Sequence, residues 1–103
     1  VTQKKKKGST DYLGIDAGMN VLIRPTLYGA YHHILNLTKL EKPLTEVTNI
    51  VGPICETGDK IGSSRLLPKS DEGDILLIEN AGAYGKTMSS RYNLREEALE
   101  LFI

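Results

Sequence analysis

A thiol beside a carboxylate is the feature of this sequence with the clearest chemical potential. Cys55, the only cysteine, and Glu56 lie in the segment Gly52–Asp59 (GPICETGD), between a Gly-Pro pair and a Gly-Asp pair. The run Val47–Val51 comes directly before this segment and is rich in β-branched residues. A strand that ends abruptly in a turn presents its next side chains at the rim of a sheet, where binding and catalytic residues are commonly placed. A lone cysteine is also often an inert buried residue, so the thiol alone does not decide between a reactive site and a structural cysteine.

Composition limits the classes to which the chain can belong. Its 103 residues are the length of one domain, so we expect a single domain spanning residues 1–103. Thirteen basic and thirteen acidic residues cancel, which gives no electrostatic reason to expect a nucleic-acid or membrane partner. A single cysteine excludes an intramolecular disulfide and suits a reducing compartment, so the expected location is the cytoplasm. No stretch has the pattern of a membrane span or a signal peptide.

Short strands separated by turn formers dominate the chain. We expect a hairpin of Val1–Lys7 with Asp11–Asp16 and further strands at His32–Leu37, Thr45–Ile54, Lys60–Leu67 and Asp74–Glu79. Five to seven short strands predict the all-β (mainly β) class, as a small Greek-key-like barrel or sandwich.

The other segments give weaker signals. Val21–Arg24 has room for one helical turn that Pro25 would end, with irregular structure over Leu27–Tyr31. The tail Asn93–Ile103 combines helix formers with an apolar end, and we favour a strand there.

The clustered basic side chains and the histidines have structural interpretations. Lys4–Lys7 would guard a solvated strand edge, because no interleaved aromatic residues support stacking on bases. His32 and His33 are adjacent on a predicted strand and therefore point to opposite faces. They do not share a metal ion in that arrangement, and the sequence predicts no metal site.

Four motifs occur in one order along the chain and carry a resemblance to a known family. They are Ile15–Asn20 (IDAGMN), Ile23–Tyr28 (IRPTLY), Gly52–Asp59 and Ala81–Gly85 (AGAYG). Together they resemble the C-terminal β domain of the diaminopimelate decarboxylase family, pyridoxal-phosphate enzymes of lysine biosynthesis with the fold-type III architecture. The resemblance runs from about Tyr12 to the C-terminus.

The resemblance implies a two-part enzyme. A (β/α)8 barrel would bind pyridoxal 5'-phosphate and supply its Schiff-base lysine, and the β domain would close over an active site shared in a homodimer. This chain is too short for the roughly 250 residues of such a barrel, and none of its lysines lies in a matching motif. We therefore expect a C-terminal domain detached from its barrel and inactive alone. Val1 and the apolar end Ala98–Ile103 fit cuts through a larger polypeptide.

The resemblance also assigns roles to individual residues. Arg24 and Tyr28 match positions that hold a substrate carboxylate, where a guanidinium fork and a phenol both donate hydrogen bonds. Glu56 matches the acid at the distal end of the substrate, where a carboxylate suits the ammonium group of a diamino diacid. Tyr84 matches an aromatic residue that contacts substrate and cofactor phosphate, in a loop of small residues that allows close backbone approach. Cys55 matches the proton donor of the family. The chemistry agrees, because a thiol mostly holds its proton at neutral pH and can therefore donate it.

Three alternatives remain at this point. Decarboxylases of ornithine, arginine or carboxynorspermidine share the implied architecture and a comparable cysteine loop, although the Cys-Glu-x-Gly-Asp form favours diaminopimelate. A non-catalytic β interaction module would not need all five of these side chains. A redox-sensing thiol would be modified rapidly at neutral pH.

Overall fold

The chain folds into six short strands arranged in two sheets. A computed structural model describes residues 1–103 without gaps. The four-stranded sheet contains, in spatial order, β1 (Gln3–Lys7), β2 (Thr10–Gly14), β4 (Glu46–Val51) and β5 (Lys60–Leu67). The second sheet pairs β3 (Ile34–Asn36) with β6 (Leu76–Ile78). The helical elements are α1 (Arg24–Tyr28) and two 3-10 turns, at Leu37–Lys39 and Tyr92–Leu94.

The strand pairing confirms the all-β class and defines its architecture. β1 and β2 form the predicted antiparallel hairpin, and β5 has the predicted bounds. β2 and β4 pair in parallel, whereas the other pairs are antiparallel. A parallel pair requires a long crossover, and the chain between β2 and β4 supplies it with α1 and β3. The strands form two separate sheets and no closed barrel within this chain.

The core lies where the two sheets meet. Six aliphatic side chains form one buried cluster: Leu13, Ile15, Ile34, Ile50, Ile61 and Leu67. β5 approaches β3 closely, since a Cβ added to Gly62 would lie 2.8 Å from Cδ1 of Ile34. Glycine at this position therefore lets the two sheets share one core.

Strand β1 is the outer edge of the larger sheet, as the lysine run predicts. All five of its residues are exposed. Lys4 lies 3.6 Å from the Glu46 carboxylate, and Lys6 lies 3.8 Å from that of Asp11. Exposed pairs of this kind contribute little stability, so the lysines serve mainly to keep the edge solvated.

Helix α1 corrects the prediction around Pro25. The predicted turn at Val21–Arg24 is wrong, because the helix begins at Arg24 and has Pro25 in its first turn. Proline is well tolerated there, since the first N–H groups of a helix need no partner within it. The helix ends at Gly29, whose φ of 64° is left-handed, so Leu27 and Tyr28 are helical instead of irregular.

The C-terminal tail is not a strand, contrary to the sequence-based expectation. Residues 95–103 have no regular secondary structure, and Leu99, Leu101 and Phe102 are 87–92% exposed. Strand structure needs a partner edge, and the tail pairs with none. The predicted burial of β6 on both faces is also wrong: Leu77 is 40% exposed, whereas Leu76 and Ile78 on either side of it pack against the core.

The remaining structural expectations are met in part. His32 is buried and His33 is exposed, as opposite faces require. Strands β3 and β4 are shorter than the predicted His32–Leu37 and Thr45–Ile54. The only α-helix has five residues, and no helix has the length and apolar character needed to cross a bilayer.

A buried polar cluster ties β3 to the loop before β6. Asn36 donates from Nδ2 to Ser70 Oγ and to Asp74 Oδ2, both at 2.9 Å. Lys39 lies 3.0 Å from Asp74 and also binds Asp71. Burial raises the pKa of Asp74, but hydrogen bonds from Asn36, the Asp71 amide and Lys39 outweigh it and leave the pKa lowered. The hydrogen bond to Lys39 lowers the pKa of Asp71 as well.

This cluster predicts a loss of stability in acid. Folded-state pKa values below the ordinary 3.8 mean that Asp71 and Asp74 contribute stability above that pH and lose it as the pH falls through the lowered values. We expect Asp74→Asn to destabilise the full-length protein by about 1–3 kcal/mol at pH 7, because Asn36, the Asp71 amide and Lys39 lose a charged acceptor. The difference in unfolding free energy between Asp74→Asn and the wild type, measured by urea denaturation, should be smaller at pH 3.5 than at pH 7. Asp16→Asn, at an exposed residue outside the ion pairs, is the control, and an undiminished difference at pH 3.5 would contradict the assignment.

Candidate active site

A buried carboxylate fixes the shape of the turn that carries Cys55. The side chain of Asp59 is buried, although the four residues before it in the turn are exposed. Its Oδ1 accepts the N–H of Met19 at 2.6 Å, and its Oδ2 accepts the N–H of Ile54 at 2.7 Å. Backbone donors that would otherwise be buried without a partner are thereby satisfied. Asp59 joins the Gly52–Asp59 turn to the segment that follows β2.

Two motif glycines are explained by this carboxylate. A Cβ on Gly18 would lie 2.6 Å from Asp59 Oδ2, and a Cβ on Gly52 would lie 2.6 Å from Asp59 Oδ1. The Cβ on Gly52 would also meet the Cα of Gly18. Any side chain at either position would displace the carboxylate or separate the two segments. The IDAGMN and GPICETGD motifs are therefore two loops in backbone contact.

Cys55 and Glu56 lie on the exposed outer side of this turn. β4 ends at Val51, Ile54 is buried as an anchor, and the next two side chains are exposed. The structure thus places both side chains at the rim of the larger sheet, where the sequence predicts them. Their exposure means that one side of any site built on them is open within this chain.

The C-terminal segment contacts both of these side chains. The Tyr92 hydroxyl donates to Oε1 of Glu56, and Asn93 Nδ2 lies 3.5 Å from Cys55 Sγ in hydrogen-bonding geometry. The hydrogen bond to Glu56, with the negative charge of that group, raises the pKa of Tyr92 and keeps the phenol protonated. Sequence reasoning missed Tyr92 and Asn93. The available signal was a polar Tyr-Asn pair at the point where the predicted Asn93–Ile103 tail begins.

Helix α1 is attached to the same turn. Thr26 Oγ1 donates to the carbonyl oxygen of Gly58 at 2.7 Å. Arg24 and Tyr28 are four residues apart and therefore lie on one face of the helix. Arg24 is half-buried and Tyr28 is exposed, and neither side chain forms a hydrogen bond or ion pair in this chain. Both have donors available for a ligand.

The Ala81–Gly85 loop lies beside the residues that precede α1. A Cβ on Gly85 would meet the carbonyl oxygen of Ala81 and would lie 3.9 Å from the Leu22 side chain. Tyr84 is 68% exposed with a left-handed φ of 64°, uncommon for an aromatic residue, and its hydroxyl has no partner. No hydrogen bond joins Tyr84 to the Cys55–Glu56 turn. The five predicted site residues thus lie in two groups, Tyr84 on one loop and the other four on α1 and the adjoining turn.

The chain has no enclosed cavity around these side chains. The largest groove, of about 540 Å³, runs between α1 and β5 from Thr26 to Arg65 and is not lined by Cys55, Glu56 or Tyr84. No group of three His, Cys, Asp or Glu side chains lies close enough to bind a metal ion. The arrangement offers a thiol, a carboxylate and several hydrogen-bond donors on an open rim.

The fold and this rim correspond to a known class of domain. Residues 1–82 match the family described as "Pyridoxal-dependent decarboxylase, C-terminal sheet domain", and the chain belongs to that family.

Individual relatives agree with this assignment. The chain is 46% identical over 98 residues to the diaminopimelate decarboxylase of Archaeoglobus fulgidus and 48% identical over 99 residues to that of Aquifex aeolicus. These matches cover 95% and 96% of this chain and 23% of each relative. The crystal structure of diaminopimelate decarboxylase from M. jannaschii in co-complex with L-lysine has a TM-score of 0.85 and 44% identity, covering 92% of this chain and 21% of that one. The chain thus spans about a quarter of the length of the curated relatives it matches.

Proposed function

We propose that the chain is the C-terminal, substrate-contacting domain of a pyridoxal-phosphate-dependent diaminopimelate decarboxylase, which converts meso-2,6-diaminopimelate to L-lysine and CO2. The observation that carries this proposal is the exposed Cys55–Glu56 pair, held on a rigid rim by Asp59, in a chain 46% identical to a diaminopimelate decarboxylase. A rigid turn is what precise placement of a proton donor requires. The reaction belongs to the full-length protein, and the 103 residues alone are inactive.

The architecture of the full-length protein is part of the proposal. Residues 1–103 form one domain that follows an N-terminal (β/α)8 barrel, and two copies share each active site in a homodimer. The open rim around Cys55 supports this arrangement, because a reaction protected from water needs further surfaces to close it. The exposed apolar side chains of the tail also favour a covering partner. A lone exposed thiol supports a cytoplasmic location.

The free donors on α1 suit a carboxylate. We assign Arg24 and Tyr28 to one substrate carboxylate, since both present unpaired donors on one helix face. Glu56 binds the ammonium group at the other end of the substrate. This arrangement discriminates against substrates that lack a second charged end, because they would offer no ammonium group to the Glu56 carboxylate.

Cys55 supplies a proton to the substrate carbon. When the bond between that carbon and its carboxylate breaks, CO2 leaves and an electron pair stays behind. The S–H bond of Cys55 then breaks, its proton forms the new C–H bond, and the thiolate regains a proton from water. General acids of this kind contribute about 100- to 10,000-fold to a rate.

The residues present fit one corner of the implied cofactor site. The free hydroxyl of Tyr84, on a tight loop of small residues, suits a phosphate oxygen. A Schiff-base lysine is usually desolvated, whereas every lysine of this chain is exposed or half-buried, so the barrel has to supply it. Bound pyridoxal phosphate would withdraw the electron pair left on the substrate carbon. This chain contributes the phosphate contact and the surrounding wall.

A decarboxylation assay of the full-length protein with pyridoxal phosphate tests the function. We expect lysine and CO2 from meso-2,6-diaminopimelate and at least 100-fold lower kcat/KM with ornithine, arginine or carboxynorspermidine. Preference for one of the other three substrates would retain the class of enzyme and overturn the substrate. Failure to bind the cofactor would overturn the proposal in favour of a non-catalytic interaction module.

A further inference from the structure

The structure points to a role for a segment that none of the motifs covers. We propose that Tyr92 and Asn93 are positioning residues: Asn93 orients the Cys55 thiol for proton transfer, and Tyr92 holds the Glu56 carboxylate for substrate binding. The inference rests on the proposed function and adds two residues to it. It is carried by two side-chain contacts that join Tyr92 and the adjacent Asn93 to adjacent residues of the cysteine turn.

The contact at Cys55 is suited to proton donation. The Asn93 amide nitrogen lies 3.5 Å from Sγ and its oxygen lies 3.9 Å away, so the shorter contact is a donor to sulfur. An N–H···S hydrogen bond strengthens as negative charge accumulates on the sulfur, which happens when the thiol gives up its proton. Asn93 therefore acts most strongly during the transfer itself, and its effect falls on kcat.

The contact at Glu56 acts on a different quantity. Glu56 is exposed, and a free glutamate side chain samples many rotamers. The Tyr92 hydroxyl restricts it by donating to one carboxylate oxygen, which leaves the other oxygen for an ammonium group. Loss of this restriction weakens ground-state binding and therefore raises KM.

The backbone around these residues is shaped for the contact. Asn93 and Leu94 both have left-handed φ values, 58° and 57°, an uncommon conformation for two successive non-glycine residues. The N–H of Ser90 donates to the carbonyl oxygen of Asn20 at 2.8 Å, which attaches the segment to the IDAGMN motif. Backbone in this uncommon conformation persists only where surrounding contacts hold it in place, and such residues are found most often at functional sites.

Three variants of the full-length enzyme test the assignment. Asn93→Gly keeps the left-handed backbone and deletes the amide, and Asn93→Asp keeps the shape but replaces the donor by a carboxylate. We expect kcat at pH 8 to fall about tenfold in Asn93→Gly and about 100-fold in Asn93→Asp, with KM within about twofold. Tyr92→Phe raises KM for meso-2,6-diaminopimelate about fivefold and leaves kcat unchanged. Thr87→Ala, at an exposed residue of the same segment without a hydrogen bond, is the matched control.

A structural role alone predicts a different order. In that case the isosteric Asn93→Asp would retain more activity than Asn93→Gly, and that ranking would overturn the inference. Trypsin cleavage after Arg91 and Arg95 provides a readout independent of activity. We expect cleavage at least threefold faster in a Cys55→Ala/Glu56→Ala double variant, which removes both contacts. If cleavage of the double variant is faster but the wild type does not act on diaminopimelate, the contacts are supported and the proposed function is refuted. If the wild type is active but the double variant is cleaved no faster and the Tyr92 and Asn93 variants keep wild-type kinetics, the contacts alone are refuted.

Discussion

Cys55→Ala in the full-length enzyme is expected to lower kcat by about 100- to 10,000-fold and to leave KM for meso-2,6-diaminopimelate within about twofold. The thiol is on the outer side of its turn, and the only side chain it contacts through a hydrogen bond is Asn93. Its removal takes away the proposed proton source without deleting the donors on α1 or the carboxylate of Glu56. The measurement is steady-state lysine formation, together with circular dichroism to verify the fold.

A nearby residue of the same turn, Thr57, supplies the matched control for this substitution. Thr57 is exposed and its side chain forms no hydrogen bond, so Thr57→Ala should retain wild-type kcat. An unchanged kcat in Cys55→Ala would remove Cys55 from the mechanism. In that case rapid modification of the thiol at neutral pH would favour a redox-sensing role instead.

The second large effect is expected at Gly52, and it concerns stability. A Cβ there would lie 2.6 Å from Asp59 Oδ1 and would also meet the Cα of Gly18, so the carboxylate or one of the two backbone segments has to shift. We expect Gly52→Ala to destabilise the domain by about 3 kcal/mol or more, since overpacking adds to the loss of the Asp59 hydrogen bonds. Hydrogen exchange of peptides from this domain, measured in the full-length protein, reports the change.

Another glycine of the chain makes this test specific. A Cβ on Gly82 would meet nothing within 4 Å, so Gly82→Ala should change the opening free energy by less than about 0.5 kcal/mol. Equal protection from hydrogen exchange in Gly52→Ala and Gly82→Ala would contradict the close approach of the IDAGMN and GPICETGD loops. Because Gly52 is close to Cys55 in the chain, partly folded Gly52→Ala protein should also lose decarboxylase activity.

Local patterns in the sequence were sufficient to predict much of the sheet. The β1–β2 hairpin follows from extended segments joined at Gly8, and β5 follows from a run of strand formers between two turns. The opposite exposure of His32 and His33 follows from the two-residue period of a strand. Each of these features depends on residues within about ten positions of one another.

The errors arose where local propensity competes with packing. Proline breaks a helix when it lies in the interior but is well tolerated in the first turn. The sequence left open whether a helical turn ends before Pro25 or begins beside it, and the structure shows a helix that begins at Arg24 and is capped at Gly29. The tail has the composition of a strand or a helix, yet residues 95–103 form neither. They pair with no strand edge, and so short a segment is not a stable helix by itself.

The sequence motifs were sufficient to single out Cys55, Glu56 and the two hydrogen-bond donors of α1. The strand pattern also predicted that Cys55 would follow the end of a strand. Their roles in a reaction remain predictions. Only the tertiary structure related the motifs to one another: Asp59 binds Met19 across 40 residues, Thr26 binds Gly58 across 32, and Asn93 reaches Cys55 across 38. Propensity and periodicity act over one or two turns of chain, whereas these contacts depend on how whole elements pack. The buried carboxylate and the Tyr92–Asn93 contacts were therefore visible only in the folded chain.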